Sequence, residues 1–147
     1  MVGVGAGIVA TVTLLDTSFL YALAISRDKN HRATIAVLPK LERPLLLPTP
    51  VLPELCYLLE SRAGHHVMRR FLHTLSTSEI KLVTLIGDDI KQIADLLDKY
   101  ADSSLDFADA AIVAIAERNR ITKIATFDRR DFSIIRPQHT PVFELLP

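Results

Sequence analysis

An α/β fold on a mostly parallel central sheet is what this chain predicts, and three observations carry that prediction. Short β-branched or leucine-rich runs alternate with longer stretches of helical period, the pattern of strand–helix–strand units. No repeat, low-complexity linker or charge run divides the 147 residues, so residues 11–147 read as one domain behind an N-terminal extension at residues 1–10. Hydrophobic residues make up 49% of the chain and its mean hydropathy is +0.27, enough to build a substantial core.

The first strand runs from Thr11 to Leu15 and stops at Asp16, where Asp16 or Thr17 caps a helix reaching about Ala24. A second helix is expected from Lys29 to Leu41. Leu45-Leu46-Leu47 is a short strand closed by Pro48 and Pro50. The next helix begins near Val51, tolerates Pro53 in its first turn, where no N–H partner is lost, and aligns Leu55, Leu58 and Leu59. Gly64 interrupts it, and another helix follows from His65 to about Leu75. Ile80 to Leu85 is a strand, and Asp88 to Tyr100 a helix with Ile90, Ile93, Leu96 and Leu97 as its buried stripe. The Ala-rich run from Phe107 to Arg118 predicts a helix buried around much of its circumference. Ile121 to Phe127 is a strand, and Pro141 to Leu146 supplies a last short one.

Charge and termini narrow the class. Lys plus Arg equals Asp plus Glu at 17 each, so no bulk charge points to nucleic acid, although clustered acids leave basic residues in excess elsewhere. Cys56 is alone, which excludes an internal disulfide and a multi-cysteine zinc site. It reads as a small buried hydrophobe and fits a reducing cytoplasm. The apolar stretch from Val2 to Leu15 lacks the basic start of a signal peptide and is shorter than the roughly 20 residues of a membrane span. Gly3, Gly5 and Gly7 follow no strand and make a poor phosphate loop.

Four acids sit at the edges of apolar runs: Asp16 after Val12-Thr13-Leu14-Leu15, Glu54 among Val51, Leu52, Leu55 and Tyr57, Asp109 within Phe107 to Ile112, and Asp128 after Ile124 to Phe127. A carboxylate drawn into an apolar interior costs several kcal/mol unless something neutralises it. Asp16 and Asp128 stand at the carboxyl ends of strands, where open parallel sheets bind ligands. Glu54 and Asp109 stand in helix first turns, which favour negative charge. Any one of them is more often a cap or turn residue, and that reading covers Asp16 and Asp128. It accounts poorly for Glu54 and for Asp109, and the coincidence of all four favours one site. Close carboxylates without a cation hold at least one raised pKa. Oxygen donors of this kind suit Mg²⁺, with Mn²⁺ as a substitute, and invite phosphodiester hydrolysis by an activated water. Cys56 lacks a matched histidine and no Gly-x-Ser-x-Gly elbow exists, so no other nucleophile competes.

Four motifs then carry a resemblance: Leu15-Asp16-Thr17-Ser18-Phe19-Leu20, Pro50 to Leu59 with Glu54, Phe107-Ala108-Asp109-Ala110-Ala111-Ile112-Val113-Ala114, and Thr126-Phe127-Asp128-Arg129-Arg130-Asp131-Phe132. In this order and spacing they make the chain, from Leu14 to its C-terminus, similar to PIN-domain proteins of the VapC toxin-ribonuclease type. The resemblance implies a PIN-like α/β/α sandwich and a Mg²⁺-dependent endoribonuclease, cutting single-stranded or loop RNA as a homodimer and neutralised by a small antitoxin. Carried over, Asp16 and Asp109 are direct metal ligands, with Glu54 and Asp128 completing the pocket directly or through water. Asp106, one turn before Asp109, is equally a fifth ligand or a first-turn dipole partner. The hydroxyls of Thr17, Ser18 and Thr126 orient carboxylates, with ordinary capping of equal weight. The stretch before Thr11 is longer than such domains need.

Other residues are set aside. Asp131 reads as part of a solvated turn with Arg129 and Arg130, and Phe132 as a core plug. His65, His66 and His73 have no acid to join them and read as a basic helix surface with Arg62, Arg69 and Arg70, suited to an RNA backbone or an antitoxin. Phe71, Leu72 and Leu75 are core or an oligomer face. With no Trp and three Tyr, an extended base-stacking platform is disfavoured. Two rivals remain: a PIN-like module that binds RNA or protein without cutting, and a receiver-type signalling domain. The latter is weakened because Asp16 has no adjacent second acid and no suitable Lys follows a strand.

Overall fold

The computed structural model describes residues 10–147, so the proposed extension and Gly3, Gly5 and Gly7 lie outside the described residues. Five strands, β1 (Ala10–Leu15), β2 (Leu45–Pro48), β3 (Lys81–Val83), β4 (Ile121–Ala125) and β5 (Glu144–Leu146), form one sheet in the order β3-β2-β1-β4-β5. Every pairing is parallel. Seven α-helices flank it: α1 (Thr17–Ala24), α2 (His31–Val37), α3 (Leu52–Ala63), α4 (His65–Ser76), α5 (Gly87–Lys99), α6 (Phe107–Asn119) and α7 (Arg129–Ile134). Residues 12–15 of β1 and all four of β2 are buried, because helices cover parallel strands on both faces.

The strand order places the site. From β1 the chain winds outward through β2 to β3, then returns to lay β4 on the other side of β1, with Leu15 opposite Ala125. The crevice beyond the carboxyl ends of β1 and β4 is therefore the topological switch point, where such sheets bind ligands. α6 is buried at every residue from Asp109 to Ala116, as its alanine-rich sequence predicts. Phe19 and Phe132 are fully buried, and Phe132 plugs the core as expected.

The departures have local causes. α2 starts only at His31, because Asp28 Oδ2 accepts the Asn30 N–H (2.9 Å) in a turn, and it ends before Pro39 in a short 3₁₀ turn. β4 ends at Ala125 rather than Phe127, since Thr126 Oγ1 accepts the Asp128 N–H and bends the chain out of the sheet. The expected turn at Arg129-Arg130 is the start of α7. Ile90 is 55% exposed and leaves the buried stripe of α5 to Ile93 and Leu96, with Leu97 half-buried. Asp89 turns inward in its place, paired with Arg118 of α6 at 3.0 Å. Cys56 is half-buried rather than enclosed.

Candidate active site

A pocket of about 290 Å³ opens at the switch point and gathers six carboxylates: Asp16, Glu54, Asp106, Asp109, Asp128 and Asp131. It thus brings together all five acids singled out in the sequence. A larger groove, about 520 Å³, is lined chiefly by Leu23, Leu38, Val67, Phe71 and Leu75, and its one acid, Glu79, pairs with Arg43.

Asp16 is delivered by the end of β1 and is 4% exposed. It stands at the N-cap position of α1 but makes no side-chain capping bond, so the capping reading fails for it. Its Oδ2 instead accepts from Thr126 Oγ1 (2.7 Å) and Ser18 Oγ (3.2 Å). Burial raises its pKa, the hydroxyls of Thr126 and Ser18 and the Thr17 backbone oppose the rise, and the charge of Glu54 adds to it. Ser18 Oγ also accepts the Phe127 N–H (2.9 Å), and Phe127 stacks on Phe19 at 6.1 Å, so α1 and the turn after β4 are held as one corner.

Asp109 is buried in the first turn of α6. It forms a reciprocal capping box with Asp106: the Asp109 N–H donates to Asp106 Oδ1 (2.9 Å), and the Asp106 N–H to Asp109 Oδ2 (3.3 Å). Asp106 is therefore the N-cap of α6 as well as a wall of the pocket. Burial first, then the charges of Asp106 and Asp16, push Asp109 up to about 8. Burial, the charge and hydrogen bonding of Asp131, and the charge of Asp16 push Asp128 up to about 6. The expected raised pKa in a crowded acidic site is thus present in three acids.

Two placements differ from expectation. Glu54 is exposed, because the buried face of α3 is formed by Leu55 and Leu59 and Glu54 lies one step around the helix. Its neighbour Tyr57 is 70% exposed as well. Asp131 belongs to the pocket rather than to a solvated turn. It lies in the first turn of α7, accepts from Ser104 Oγ (2.5 Å), and its carboxylate falls with those of Asp109 and Asp128 within 4.8 Å of one another. The Asp128–Asp131 spacing equals that of Asp106–Asp109, so the same one-turn reasoning would have found it. Ser104 and Tyr21 also line the pocket, unannounced by the sequence, and so does Arg62, which the sequence places on a basic helix surface with Arg69 and Arg70. The three histidines of α4 are exposed and stay outside it, His65 lying against Arg69.

Of the hydroxyls, Ser18 and Thr126 orient Asp16, whereas Thr17 does not. Thr17 lines the pocket, yet its Oγ1 is buried and, among the described residues, has no hydrogen-bond partner. That orphan hydroxyl, a trio of converging carboxylates and an all-oxygen donor set fit a hard divalent cation.

Residues 13–136 match the PIN domain family. Ribonuclease VapC26 of Mycobacterium tuberculosis is 32% identical over 134 residues, covering 91% of this chain and 99% of that protein. The crystal structure of Mycobacterium tuberculosis VapC20, a sarcin–ricin loop cleaving toxin, has a TM-score of 0.75 at 21% identity, covering 80% of this chain and 91% of that one. A toxin–antitoxin complex from Klebsiella pneumoniae has a TM-score of 0.66 at 22% identity, covering 90% and 99%.

Proposed function

Because the chain belongs to the PIN-domain family, we propose that it is a Mg²⁺-dependent endoribonuclease acting as the toxin of a toxin–antitoxin pair. The observation that carries this reading is the convergence, at one switch-point crevice, of acids from β1, α3, α6 and the β4–α7 turn. A relative named as a ribonuclease, alignable over nearly all of both chains, supports the same reaction.

In this reading Asp16, Asp109 and Asp128 hold the cation, with Asp131 joining them and Glu54 reaching from the opposite wall directly or through water. The chemistry such a cation supplies is activation of water and neutralisation of charge on the phosphodiester. The chain's own part is geometric. Thr126 and Ser18 fix the Asp16 carboxylate, and the capping box fixes Asp109. A small antitoxin protein is the proposed partner, with the apolar groove beside α4 as one surface open to it, and the proposed working form is a homodimer in the cytoplasm. Among the described residues no helix is long and apolar enough to cross a membrane.

Incubating the protein with a labelled structured RNA in Mg²⁺, Mn²⁺ or EDTA tests the reading. Metal-dependent cleavage that Asp16→Ala and Asp109→Ala abolish is expected. RNA binding without cleavage would favour the non-catalytic module instead.

A further inference from the structure

The acidic pocket poses an electrostatic problem for the substrate class proposed above. Six carboxylates surround it, and one divalent cation leaves an excess of negative charge facing a polyanionic RNA. Arg62 is the one basic side chain among the described residues lining the pocket. Glu54, Leu58 and Arg62 recur every fourth residue, so α3 presents them as one stripe along that wall.

The holding of Arg62 is unusual for its surroundings. Among the described residues no carboxylate lies within ion-pair distance of it, despite the acids lining the same pocket. Its guanidinium lies instead over the ring of Tyr21 from α1, 5.5 Å from the centroid. A ring orients a guanidinium without neutralising it, so the full charge and the donor fork stay available to an anion. Eight residues separate Glu54 from Arg62, about 12 Å along the helix axis. With its fork drawn to Tyr21 rather than to any acid, Arg62 stands at the rim of the acidic cluster, where a phosphate next to the one being cut can reach it.

Resting on the nuclease reading, we propose that Arg62, steered by Tyr21, is a substrate-positioning residue that binds a phosphate of single-stranded RNA flanking the scissile bond. Its contribution is to ground state and transition state alike, so it governs KM rather than kcat.

The test measures steady-state cleavage of a labelled single-stranded RNA oligonucleotide, and its binding to an Asp109→Asn background, across a salt series. Arg62→Ala should raise KM about tenfold with kcat little changed, as loss of a charge-assisted contact predicts. It should also lower the slope of log affinity against log salt by about 0.7. Arg62→Lys should keep the salt slope but lose part of the affinity. Tyr21→Phe should behave as the parent, while Tyr21→Leu raises KM with the slope intact. Lys91→Ala, an exposed charge on α5 away from the pocket, should change neither quantity. Arg62 is exposed, so its variants should fold, which melting temperature checks. If the parent cuts RNA and Arg62→Ala leaves KM and slope unaltered, the phosphate contact is overturned and the nuclease reading stands. A fall in kcat at constant KM would overturn the flanking assignment. A parent that neither binds nor cuts RNA would remove both.

Discussion

Thr126 Oγ1 donates to Asp16 Oδ2 at 2.7 Å across 110 residues of sequence, tying the ends of β1 and β4 together at the pocket floor. The same hydroxyl accepts the Asp128 N–H at 2.9 Å, so one side chain orients two of the candidate ligands. Thr126→Val keeps the shape but leaves a buried carboxylate oxygen and an N–H without this partner. A loss of about 1–3 kcal/mol in chemical denaturation is expected, with reduced cleavage. Thr126→Ser should restore much of both.

The raised acids fix the sign of a pH effect. Asp109 and Asp128 titrate near 8 and 6 in the folded chain, against about 3.9 for an ordinary Asp. Between these values the folded state holds the extra protons, so metal-free stability should fall as pH rises from about 4 to about 8. In EDTA the melting temperature of the parent relative to Asp109→Asn should therefore decline with pH. A difference independent of pH would contradict this.

Mg²⁺ competes with those protons. The gain in melting temperature on adding Mg²⁺ should be larger at pH 8 than at pH 6, and Asp109→Asn should diminish it. An undiminished gain would remove Asp109 from the ligand set.

Asp131 should matter although the sequence set it aside. Asp131→Ala is expected to raise the Mg²⁺ concentration needed for half-maximal cleavage by about 10- to 100-fold. An unchanged Mg²⁺ titration would make it a bystander anchored by Ser104.

Asp106 can be assigned by comparing two substitutions. Asn retains the capping acceptor, so Asp106→Asn should keep stability, whereas Asp106→Ala should lose about 1 kcal/mol. If Asp106 also binds metal, cleavage falls in both variants; if it only caps α6, Asp106→Asn stays active.

The elements were legible where period and punctuation agreed. α6 announced itself through its alanines, and the end of β1 through Asp16, whereas β4 stops at Ala125, short of Asp128. α7 was hidden because six residues carry too little period, and two arginines before Asp131 mimic a solvated turn. Asp109 was legible because an acid within an otherwise apolar helix conflicts with its surroundings. The exposure of Glu54 was not legible, since its apolar neighbours in sequence turn to other faces of α3, although it does line the pocket. The Tyr21–Arg62 pair joins two helices 41 positions apart, and no local pattern encodes such a meeting.

The strand order also imposes a timetable. Asp16 is synthesised more than 100 residues ahead of its neighbour in the sheet, β4, and of the acids Asp128 and Asp131. A nascent polypeptide, folding from its N-terminus as it emerges, holds Asp16 and Glu54 long before β4 exists, so the pocket is completed only once β4 has joined β1.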